Sequence, residues 1–64
     1  MSALRRFYDL AIMNAMGYVI GYGVYDALDN NTEIARYMVA DHGQAEARRL
    51  ALNLRDFWNE EIAD

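Results

Sequence analysis

Sixty-four residues carry ten acidic side chains against six arginines, with no lysine, for a net charge of −4 at pH 7. Cysteine is absent and histidine occurs once, so the chain forms no disulfide and a structural zinc site has almost nothing to ligate it. One serine and one threonine complete an inventory too thin for a nucleophilic or acid–base site, and neither an enzyme nor a cofactor is expected.

This length predicts one domain, residues 1–64. A core that small supplies no more than about 3–5 kcal/mol net. Association is the remaining way to gain stability, so a homodimer or a firm complex with a target is expected. At 55% hydrophobic and 25% charged, the composition is that of a folding chain rather than a disordered one. The acidic balance disfavours direct nucleic-acid binding, which needs a Lys/Arg surplus, and suits a protein partner with a basic, nucleic-acid-binding surface. No segment approaches the ~20 apolar residues of a membrane span. The N-terminal stretch lacks the pattern of a secretory signal, and a cytoplasmic protein is expected.

In chain order, Leu4, Phe7, Tyr8, Ala11, Ile12 and Ala15 recur at three- and four-residue steps, which predicts a helix over 2–16. Ser2 stands as its N-cap and Gly17 as its C-terminal glycine. A strand through Phe7–Ile12 is the alternative these residues leave open. Tyr18 to Tyr25 is aromatic and β-branched, and predicts a strand. Asp29-Asn30-Asn31 marks a turn, because Asn and Asp tolerate left-handed dihedrals. Thr32–Val39 is the expected return strand. Asp41 as N-cap with Gln44 three residues on matches a capping box. It opens a helix whose apolar stripe holds Ala47, Leu50, Ala51, Leu54, Phe57, Trp58 and Ile62. Arg48, Arg55 and Asn59 fall on the opposite side, and Glu46 can pair with Arg49. The expected fold is α+β, in the order α-β-β-α, with helices on one face of an antiparallel hairpin.

Several patterns invite chemistry and fall short of it. Gly17, Gly21 and Gly23 do not follow the dinucleotide spacing and have no strand before them. Asp29–Glu33 begins like a calcium loop, but the sixth and twelfth positions hold Ile34 and Ala40. His42 has no serine or cysteine nucleophile to serve. Asp26 and Glu33 flank the turn as surface carboxylates rather than an acid–base pair. No metal site is expected.

What remains points to protein contact. Tyr18, Tyr22, Tyr25 and Tyr37 crowd the hairpin, and tyrosine suits positions with one end buried and the other wet. Asp26, Asp29 and Glu33 cluster at the turn, while Glu60, Glu61 and Asp64 cluster at the end. Carboxylates on a rigid hairpin can occupy the places of phosphates in an arginine- or lysine-rich groove. The expected partner-binding residues are therefore Asp26, Asp29, Glu33, Tyr22, Tyr25, Tyr37, Glu60 and Glu61. An assembly module whose tyrosine-rich sheet pairs with its own copy is the alternative. A DNA binder would need the arginine face to outweigh the net charge.

The run Val24-Tyr25-Asp26, a polar turn, Ile34-Ala35-Arg36-Tyr37, then Gln44-Ala45-Glu46-Ala47 and Ala51-Leu52-Asn53-Leu54 resembles small bacteriophage and prophage accessory proteins of the anti-CRISPR type. The resemblance spans residues 18–59 and lies in the layout. It implies a stoichiometric inhibitor of a host nucleic-acid-handling complex, such as a type I CRISPR surveillance complex, acting in the host cytoplasm.

Overall fold

The computed structural model describes residues 6–61. Ser2, Leu4, Ile62 and Asp64 of the expectations above lie outside the described residues. Three strands, β1 (Phe7–Met13), β2 (Val19–Asp26) and β3 (Thr32–Met38), are followed by a single helical turn, α1 (Val39–His42), and a long helix, α2 (Gln44–Glu61). The strands form one antiparallel sheet in the order β1-β2-β3. The class is α+β, but the order is β-β-β-α-α, which corrects the expected α-β-β-α.

The error lies in the first segment. Phe7–Met13 is a strand, not a helix. Its apolar residues fit either period over so short a run, and pairing with β2 decides the outcome. A two-stranded hairpin is marginal alone, and a third strand satisfies the second edge of β2. The connecting turn is held by Asn14: its Oδ1 accepts the Met16 and Tyr18 N–H groups at 2.9 and 3.0 Å. Gly17, expected to end a helix, closes this turn at φ 87°. At the β2–β3 turn, Asn30 and Asn31 take φ values of 54° and 58°, the left-handed conformations that asparagine tolerates.

Side chains alternate between the sheet faces. Phe7, Tyr22, Val24 and Asp26 point towards α2 and are buried. Two bulges adjust this pattern. One, at Ile12/Met13 opposite Val19, lets Val19 pack on the core. The other, at Val24/Tyr25, lets Ile34 and Ala35 both pack there. A bulge leaves an extra residue on one strand and shifts its facing. Ala47 and Ala51, both fully buried, bring α2 close to the sheet, with Leu54 beside them. The Trp58 ring meets Phe7 edge-on at 5.1 Å.

The helix start differs from the capping box. Helix begins at Val39, so Asp41 lies within α1, and Gly43 at φ 83° separates the turn from α2. Among the described residues the predicted stripe is recovered except at Phe57, which is exposed.

Candidate protein-binding surface

The end of the molecule at the β2–β3 turn is built from three side-chain contacts that reach across the fold. Phe7 donates its N–H to Asn59 Oδ1, and Asn59 Nδ2 donates to the Phe7 carbonyl, both at 2.9 Å. One carboxamide thereby takes both backbone groups of a strand residue and fixes the last turn of α2 against the start of β1. Arg55, one turn earlier, donates to Asp9 at 2.6 Å and to Asp56 at 3.0 Å. Burial opposes the Arg55 charge, but the two carboxylates outweigh it and raise its pKa. Arg6 donates in bidentate fashion to Asp26, Nε to Oδ1 at 2.9 Å and Nη2 to Oδ2 at 2.8 Å. Asp26 also accepts the Leu28 N–H at 3.0 Å, which organises the turn. The Arg6 hydrogen bonds hold the Asp26 carboxyl below the ordinary carboxylate range, against the opposing effect of burial. The Arg6 guanidinium also stands 5.0 Å over the Phe7 ring, a cation–π distance.

These contacts reassign several expected partner-binding residues. Asp26 is engaged inside the molecule and offers no carboxylate to a partner. Tyr22 is a core residue. Glu33 is shared by Arg36 at 3.1 Å and by the Tyr25 hydroxyl at 3.3 Å. Tyr25 stacks on Tyr8 with centroids 5.5 Å apart. Burial, then the Glu33 carboxylate, pushes the Tyr25 phenol above its ordinary pKa. Tyr37 is half-buried, its ring 5.9 Å from that of His42. Asp29, Glu60 and Glu61 stand exposed. Arg55 and Asn59, expected on the far side of the final helix, instead face β1.

The structure joins what the sequence kept apart. Asn59 binds Phe7, and Phe7 stands opposite Asp26 in the sheet, so the C-terminal end of α2 and the Asp26–Asn31 turn lie at the same end of the fold. Asp29, Glu60 and Glu61 share that end. The helix dipole adds negative potential there, and no basic residue occupies the last turn of α2. Asp41 lies towards the other end, after β3.

Charge pairing sharpens the asymmetry. Among the described residues, Arg6, Arg36, Arg49 and Arg55 each contact a carboxylate, and the expected Glu46–Arg49 pair is formed. Arg48 is the one arginine there without an acidic partner. Among the described residues, Asp29, Asp41, Glu60 and Glu61 take part in no ion pair. No group of three or more His, Asp or Glu side chains among the described residues gathers to hold a metal ion. No helix there is long and apolar enough to cross a membrane.

Comparison with protein-family models, curated proteins and solved structures found no match.

Proposed function

We propose that this protein is a small acidic inhibitor that docks on a basic, nucleic-acid-binding surface of a host protein complex and blocks nucleic-acid access. The observation that supports this reading is the imbalance among unpaired charges: four carboxylates against Arg48 among the described residues. Asp29, Glu60 and Glu61 share one end with the C-terminus of α2, so the negative field is directional and can steer a basic partner. Asp26 acts here by shaping the turn that carries Asp29, and Glu33 by anchoring Tyr25. The resemblance to anti-CRISPR proteins suggests a type I CRISPR surveillance complex as the target.

The test is phage plaquing on cells with active type I immunity. Expression of the chain should restore plaquing of a targeted phage, and the Asp29→Asn, Glu60→Gln, Glu61→Gln triple variant should not. No restoration by the wild type would remove the inhibitor reading. Equal restoration by the folded triple variant would remove the acidic end as its surface. The alternative, an assembly module, is favoured by a different feature, the edge of β1.

A further inference from the structure

We propose that two copies of this chain pair through the outer edge of β1, antiparallel and centred on Ala11, to form one continuous sheet from two three-stranded halves. This inference is independent of the acidic-surface reading.

In an antiparallel ladder the N–H and C=O of a residue point to the same side, and successive residues alternate. The Arg6 carbonyl accepts from Ala27, towards β2. Phe7 therefore faces outwards, where Asn59 takes both of its groups. Asp9, Ala11 and Met13 have the same outward facing, and among the described residues the sheet order places no strand beyond them.

Exposed edges are normally blunted by charge, proline or bulges. The β3 edge carries Glu33 and Arg36 and a bulge. The β1 sequence, FYDLAIM, has one charge, and Arg55 neutralises it. Leu10 is 53% exposed and Met13 59%. Of the six exposed large apolar side chains among the described residues, Leu10, Met13, Met16 and Tyr18 lie on β1 and the turn after it. A standard interface takes about 800 Å² from each partner, roughly a sixth of this chain's 4646 Å². The edge and the turn together are the contiguous apolar surface from which that area can come.

The register follows from what is closed. With Ala11 opposite Ala11 of the second copy, Asp9 meets Met13 and all three open positions of each strand are used. Moving the centre to Asp9 would set two carboxylates face to face and drive a strand against Asn59. A centre at Leu10 would leave Met13 opposite the closed Phe7. The chosen register also sets Leu10 beside Ile12 of the second copy on the face away from α2. The helices do not collide: β2 and its counterpart stand three strand spacings apart, about 14 Å, and packed helices need 8–10 Å.

Sedimentation equilibrium from micromolar to millimolar chain should show a concentration-dependent dimer. Ala11→Pro removes an outward N–H that makes no bond to β2, a position where edge strands tolerate proline. It should keep the circular dichroism of the fold and raise the dissociation constant by about thirtyfold or more. Because the chain has no cysteine, cross-linking reads the register directly. Bonded partners stand ~5.5 Å apart at Cα, so Ala11→Cys should oxidise to a covalent dimer. Leu10→Cys should not, since the two copies of that position stand diagonally, roughly 7–8 Å apart and beyond disulfide reach. A monomer at every concentration, or a folded Ala11→Pro variant that dimerises as the wild type does, would overturn the proposal. Equal cross-linking at positions 10 and 11 would do the same, and that comparison decides the matter should the proline variant not fold.

Discussion

Replacing Asn59 with alanine tests whether one carboxamide anchors the C-terminal half of α2 to the sheet. The change deletes two hydrogen bonds of 2.9 Å, one in each direction, to the backbone of Phe7. A hydrogen bond in a folded protein contributes about 1 kcal/mol net, so the loss is about 2 kcal/mol. Phe7 is completely buried, so water cannot readily replace what is removed. A domain of this size holds only about 3–5 kcal/mol, and the expected fall in Tm is about 8–16 °C. Thermal melts followed by circular dichroism and by Trp58 fluorescence measure it, because the Trp58 ring rests on Phe7. Asn59→Asp separates hydrogen bonding from size. It keeps an acceptor for the Phe7 N–H but turns an oxygen towards the Phe7 carbonyl, within the last helical turn, where negative charge is unfavourable. The folded state then prefers the protonated carboxyl, so its folded pKa stands above the unfolded value of ~3.9. Stability is present below that value and lost as pH rises through the folded pKa. The aspartate variant should therefore recover on acidification relative to Asn59→Ala. A Tm loss below about 3 °C in Asn59→Ala, or parallel pH profiles for the two variants, would refute the anchoring argument.

Asp26 has the opposite sign: Arg6 lowers its folded pKa, so its contribution is present above the ordinary carboxylate pKa of about 4 and lost as pH falls through the folded value. Asp26→Asn should be less stable at pH 7 and show a shallower decline below about pH 4 than the wild type, read from Tm against pH. Gly23→Ala should destabilise by about 1 kcal/mol, seen in urea melts. The added carbon would lie 2.8 Å from the Tyr25 ring, and relief would take that ring off its stack with Tyr8. Arg55→Leu should leave Asp9 without its 2.6 Å partner at the β1 edge, and hydrogen exchange should reveal faster opening of the β1 amides than of β3.

The second hairpin was legible because its signals are local. Asn30 and Asn31 adopt the left-handed conformations their side chains permit, and Tyr22 and Val24 face the core as alternation requires. Ala47, Ala51, Leu54 and Trp58 likewise reveal the buried stripe of α2. The first strand was legible only as an alternative to a helix, over Phe7–Ile12, since seven residues that satisfy two periods are assigned by their neighbours rather than by themselves. Asn14 and Gly17 held the missing signal, as the two ends of a turn between strands. The site was read less well for the same reason. Asp26 looks like any turn acid until Arg6, twenty positions away, is seen to claim it. Asn59 looks like a surface residue until it meets Phe7, fifty-two positions away. Long-range polar contacts leave no periodic trace, so a sequence reading counts those carboxylates and carboxamides as exposed.

Asn59 also connects the two proposals. By closing Phe7 it denies a partner strand the first outward position of β1, which moves the centre of pairing to Ala11. A two-fold axis there places Phe7 of each copy about eight residues from its counterpart along the strand direction, or roughly 27 Å at 3.4 Å per residue. The acidic ends of the two copies, which sit beside Phe7, then point in opposite directions at a fixed separation. A dimer of this form presents two acidic docking surfaces rather than one, and gains avidity on a target whose basic sites repeat at a matching distance. Ala11→Pro should then lower apparent affinity for a multivalent basic target while leaving affinity for a single site unchanged, measurable by comparing immobilised and monomeric forms of the same target. The Asp29→Asn, Glu60→Gln, Glu61→Gln variant should lower both equally. If the proline variant weakens single-site binding as strongly as multivalent binding, the edge belongs to the docking surface itself rather than to the pairing of copies.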